Sequence, residues 1–189
     1  MTRCVLSLLF ALLFGTGVGT MAVGTTFAAD LPAGPPTNQA TNQAPPAATP
    51  PSTERFAASV AAGSQFEIAS SKLALVRAGS AAVKDFADRM VDDYTTAAAD
   101  FKVAVSRAKL PPPPEKLDAR HQAMLDDLKT RDAASFDKAY VEAQVQALRE
   151  IVDLFRTYAT VGDNARIKRF AQDLLLTMRS NLDDASKLR

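Results

Sequence analysis

From Val83 to Val105 the residues Val83, Phe86, Met90, Tyr94, Ala97, Phe101 and Val105 recur at steps of three and four. That is the period of one face of an α-helix, held over about six turns. A chain carrying such a stripe has to bury it against other elements. No segment alternates apolar and polar residues as a half-buried strand would, so the partners must also be helices. The stripe stops at four consecutive prolines, Pro111 to Pro114, which a helix interior cannot accommodate.

The rest of the chain supplies those partners. A first helix is predicted from about Thr53 to Ala78, with Phe66, Ala69, Leu73 and Val76 on one stripe and Gly79-Ser80 ending it. The second covers about Ala81 to Ala108, and a short one about Leu117 to Lys129. Asp132 or Ser135 opens the next long helix, with Phe136, Tyr140, Ala143, Ala147, Ile151, Leu154 and Tyr158 inward. Gly162-Asp163-Asn164 breaks the chain and re-caps it, side-chain oxygens accepting the orphan amides of the next element. The last helix presents Ile167, Phe170, Leu174, Met178 and Leu182. Four long helices with one longer, partly helical connection between the second and third predict an all-α bundle with a crossover.

The first 52 residues read differently. One basic residue, Arg3, precedes an apolar run from Cys4 to Phe14 and a small-residue exit, Thr26-Phe27-Ala28. These are the parts of a secretory signal peptide, expected to span residues 1–29 with cleavage near Ala28 or Ala29. The run is shorter than the ~20 residues of a transmembrane helix, although an uncleaved anchor is the alternative reading. Residues 30–52, rich in Pro, Ala, Thr, Asn and Gln, are expected to form a disordered linker, because they offer little apolar area to offset the entropy of ordering. The folded domain is then 53–189, and its expected location is the periplasm or another exported site. Removing the signal removes the only cysteine and, with Arg3, leaves basic and acidic residues balanced at 21 each. A neutral chain without a thiol gives no footprint for nucleic acid and no disulfide. No transmembrane segment is expected after the signal, which leaves peripheral association with the cell envelope open.

Most catalytic templates fail on composition. There is no glycine-rich phosphate loop, and the single histidine, His121, sits on the Leu117, Met124 and Leu128 side of the short helix. A lone histidine there reads as structural or as a helix-end hydrogen-bonder before it reads as a base. Two carboxylates adjoin inward positions, Glu67 beside Phe66 and Asp93 beside Tyr94. Bundles that hold two metal ions use inward Glu and His residues from facing helices. Two carboxylates without imidazoles make a poor site, and both are expected to reach solvent or to pair with Lys or Arg.

Several segments in order carry a resemblance: Phe66-Glu67; Phe86-Ala87-Asp88-Arg89-Met90-Val91-Asp92-Asp93; Leu125 to Leu128; Phe136-Asp137-Lys138-Ala139-Tyr140; and Phe170-Ala171. From Phe56 to Leu188 the chain resembles an exported bacterial ferritin-like family, domain of unknown function 4142. The resemblance implies a ferritin-like four-helix bundle with a metal site in its core, built from a Glu on the first helix, an Asp-His pair on the second and a His on each of the last two. Glu67 and Asp93 stand at the carboxylate positions, while Tyr94, Leu148 and Asn181 stand at the three histidine positions. A Leu-Pro pair usual in the family's last helix is here Leu175-Leu176. All three imidazoles are gone, Leu148 offers no donor, and a Tyr94 phenolate is costly with an ordinary pKa near ~10. The expectation is a scaffold that keeps the fold without the site: no catalytic residues, no cofactor, and an exported protein acting by binding or as a structural or stress-related accessory. The alternative is a ferritin-like metal binder or oxidase using Glu67, Asp93 and Tyr94. Binding of an apolar small molecule between helices also stays open.

Overall fold

A computed structural model describes residues 51–189, so the signal peptide and nearly all of the linker lie outside the described residues. Five helices follow in order: α1 (Thr53–Arg77), α2 (Ala81–Arg107), α3 (Ala119–Thr130), α4 (Ala133–Val161) and α5 (Ala165–Lys187). Among the described residues there is no strand. None of these helices is long and apolar enough to cross a membrane.

Local chemistry sets the boundaries. Ser52, Asp118, Asp132 and Asn164 each accept backbone amides of the first turn of α1, α3, α4 and α5 through side-chain oxygens. Of the two openings expected for α4, Asp132 is the cap, taking the Ser135 amide at 2.8 Å. Likewise α3 begins at Ala119 rather than Leu117, because Asp118 takes the His121 amide at 2.8 Å. Ser80 makes no such bond for α2; the Asp137 carboxylate of α4 accepts the Gly79 and Ser80 amides instead, at 3.0 and 2.7 Å.

Residue pairs give the topology. Ser71 meets Tyr140 and Phe56 meets Phe155, so α1 and α4 are antiparallel. Tyr94 meets Met178 and Phe101 meets Phe170, so α2 and α5 are antiparallel too. Helix α1 packs on α2 and α4, α5 on α4 and α2, and α3 lies against α1 and α4. Helices α2 and α4 therefore run the same way, and the connection must travel back along the bundle. It does so through the extended proline segment and α3.

All seven residues of the α2 stripe are buried. On α1 the expected stripe is corrected: Val76 is 81% exposed, and Ala69 and Leu73 are only partly buried. Its inward face is Phe56, Val60, Gly63, Phe66, Glu67, Ser70, Ser71 and Ala74. Gly63 marks a close approach, since a Cβ there would lie 3.0 Å from Ile151 Cδ1. Aromatic side chains fill both ends of the bundle. Phe56, Phe101, Phe155, Tyr158 and Phe170 meet at one end, and Phe86, Phe136 and Tyr140 at the other. A polar layer lies between them.

Candidate functional site

The layer grows from helical spacing. On α1, Glu67, Ser70 and Ser71 fall within one turn and point inward; on α4, Tyr140, Gln144 and Leu148 follow one another at steps of four. Gln144 Nε2 donates to Ser70 Oγ at 3.0 Å, which donates to the Phe66 carbonyl at 2.7 Å. The Ser71 and Tyr140 hydroxyls share a hydrogen bond of 2.8 Å. Across the bundle the Tyr94 hydroxyl donates to Met178 Sδ at 3.2 Å, and the Asn181 amide donates to Asp93 Oδ2 at 3.2 Å.

Glu67 departs from expectation. It does not reach solvent or pair with Lys or Arg: the residue is 2% exposed, and its Oε2 has no hydrogen-bond partner among the described residues. Burial on the interior side of α1 raises its pKa from 4.5 to about 8, an effect the adjacent Gln144 amide only partly offsets. The carboxyl therefore carries its proton most of the time at pH 7. Gln144 Oε1 is the other buried acceptor without a partner. A protonated Glu67 brings an O–H donor into a layer that otherwise has two acceptors to spare.

The remaining expected site residues divide. Tyr94 is fully buried, and burial, followed by the nearby Glu67 and Asp93 carboxyls, holds its phenol well above its ordinary pKa. Asp93 is half-buried, reaching solvent in part as expected, and its Oδ2 accepts from the Asn181 amide rather than from a cation. Leu148 is 0% exposed, although the expected inward stripe of α4 names its neighbour Ala147 and not Leu148 itself. His121 stays away from this layer. Its Nδ1 lies 2.9 Å from Asp118 Oδ2 and its ring 5.4 Å from that of Phe66, a packed helix-end role.

These residues do not fit the metal site that the resemblance implies. Among the described residues, no three His, Cys, Asp or Glu side chains come together where they could hold an ion. Leu148 has no donor atom and the Tyr94 hydroxyl is spent on Met178. Sequence reasoning placed Glu67 and Tyr94 near the interior but missed Ser70, Ser71 and Gln144. Ser70 and Gln144 carried one signal, phase, since each lies three or four residues from an expected inward position, whereas Ser71 lies at neither spacing from any position of the expected α1 stripe.

Fold and core together define an all-α bundle with a buried, mostly uncharged polar layer at mid-length. The chain belongs to the family described as Domain of unknown function (DUF4142), whose profile matches residues 38–188, a span beginning inside the expected linker. Among solved structures, CopM in the Cu(II)-bound form is similar, with a TM-score of 0.62 at 16% identity, covering 74% of this chain and 96% of that one. At that identity the likeness is one of fold. No functionally curated protein matches the sequence.

Proposed function

We propose that this chain is an exported, non-catalytic bundle protein, working by binding or as a structural or stress-related accessory, with an interior that is packed rather than liganded. The observation carrying this reading is the donor set: Leu148, buried and without a donor atom, stands at one implied ligand position, and among the described residues no three His, Cys, Asp or Glu side chains converge. Export rests on the basic start, apolar run and small-residue exit of residues 1–29. A second reading, metal binding through Glu67, Asp93 and Tyr94, is favoured by one observation, the Cu(II) held by the similarly folded CopM.

One purification separates the two. Protein recovered from the exported fraction should begin near Ala29 or Asp30 and carry copper, iron and manganese well below one per chain by elemental analysis. Stoichiometric metal overturns the packed-interior reading, and an intact Met1 in the membrane fraction overturns cleavage in favour of an uncleaved anchor.

A further inference from the structure

Helix α2 ends in an unusual way. Lys109 adopts φ 57°, the left-handed region where glycine is the usual occupant, while its amide donates to the Ser106 carbonyl and the Leu110 amide to that of Val105. This paired closure turns the chain sharply, and the prolines that follow cannot resume a helix. They run back over the α1–α2 seam as a strap, tied at two points. Gln65 Nε2 donates to the Pro114 carbonyl at 3.3 Å, and Lys102 Nζ meets Glu115 Oε1 at 2.8 Å.

Beneath the strap lies a half-open groove of about 630 Å³. Its floor is apolar, with Phe101 and Val105 each 3% exposed and Ile68 beside them. Alanines 61 and 98 leave the width, and the proline rings form a roof without amide donors. A space of that size and lining falls in the range of small-molecule sites. It is separate from the polar layer of the core, and its lining includes two charged residues, Lys102 and Glu115.

We propose that this groove binds a small amphiphile: an alkyl or aryl body with one carboxylate, of the fatty-acid class. The apolar floor takes the body. Lys102 takes the head, and the structure already shows it holding a carboxylate, that of Glu115. The two ends of that pair are not equivalent. Lys102 stands on helix α2, next to Phe101 on the groove floor, whereas Glu115 sits on the non-helical strap. Both side chains are largely exposed, so exchanging one carboxylate for another at Lys102 costs little. A cationic amphiphile would meet Lys102 as a like charge.

This inference rests on the reading of the chain as one that binds rather than reacts. Metal content tests that reading and ligand titration tests the groove, so either can fail alone. The experiment is isothermal titration calorimetry of the full mature chain with octanoate, decanoate and dodecanoate below their micelle concentrations. Each added CH₂ should tighten binding about threefold to fourfold. Lys102→Met should weaken decanoate about twofold to fivefold and leave decanol unchanged, while Glu115→Gln should tighten decanoate. Ala98→Trp, with its fold verified by circular dichroism, should abolish both. The absence of saturable binding by any of the three acids overturns the proposal. So does a preference for decylammonium, binding indifferent to both Lys102→Met and Ala98→Trp, or sedimentation with anionic vesicles without monomer binding.

Discussion

Replacing Glu67 by Gln tests the protonation state of the core directly. In the unfolded chain the carboxyl releases its proton near 4.5, and in the folded chain near about 8. Between those values the native state holds one proton more than the unfolded state, so stability falls as pH rises. The sign is that of an acid raised by burial: no penalty below 4.5, a growing one through the window, and the full penalty above about 8. At about 1.4 kcal/mol per pH unit the window amounts to on the order of 5 kcal/mol, a ceiling that structural relaxation will lower. Against a typical total of about 5–15 kcal/mol, that is a large share. Glu67→Gln keeps the shape and supplies an N–H donor where the acid supplied O–H, but it cannot ionise. Urea unfolding followed by circular dichroism at pH 5, 7 and 9 should show the two proteins within about 1 kcal/mol at pH 5. The variant should lead by several kcal/mol at pH 9. Every other titrating group is shared, so the difference isolates this one. Parallel pH profiles would mean that Glu67 ionises normally. A variant less stable than the parent at pH 7 to 9 would mean that the carboxylate is charged and paired with a cation.

Leu148→Ala should cost about 2–5 kcal/mol in urea unfolding with an unchanged denaturant slope, since the side chain is fully buried; a loss under about 1 kcal/mol would show that the position is not tightly packed. Arg77 donates from its guanidinium to the Leu128, Lys129 and Arg131 carbonyls and lies 5.0 Å from the Phe136 ring centroid, stapling the end of α3 to the start of α4. Arg77→Ala should cost about 1–2 kcal/mol and speed amide exchange in α3 more than in α2, whereas uniform acceleration would place the staple's effect on the whole bundle.

Helix α2 was legible from its sequence because every inward residue is apolar, so its period is visible without knowledge of its partners. Helix α1 was not, for the opposite reason. Its inward face carries Gly63, Glu67, Ser70 and Ser71, and a rule that assigns apolar residues to the core put Val76 inside when it is 81% exposed. What stabilises those polar residues lies far along the chain: Ser70 is bonded by a residue 74 positions away and Ser71 by one 69 away. No local pattern encodes such partners. The resemblance to the family directed attention to Glu67 and Tyr94, and both proved to be interior. It did not reveal that Gln144 would stand against the carboxyl, and composition alone could not give the carboxyl's burial or its raised pKa.

A core that buries the Glu67 carboxyl with no Lys or Arg side chain paired to it needs a physical reason to remain uniquely folded, and the polar layer provides one. The two ends of the bundle are aromatic and aliphatic, and such surfaces discriminate weakly between helix registers. The middle discriminates strongly. Ser70 with Gln144 and Ser71 with Tyr140 lock α1 to α4 one turn apart at two levels. Sliding α4 by a single turn, about 5.4 Å, would part both pairs and leave the Ser71 and Tyr140 hydroxyls and the Gln144 amide buried without these partners, while Ser70 keeps the Phe66 carbonyl. Each orphaned group costs about 1–3 kcal/mol, about twice the net gain of a satisfied hydrogen bond. A protonated Glu67 fits this arrangement better than an ionised one, because a neutral acid can share in the hydrogen-bonded layer while a carboxylate adds only charge and acceptors. Ser70, Ser71, Tyr140 and Gln144 therefore serve as a register key, and the proton on Glu67 lets the acid sit against Gln144 without adding a buried charge.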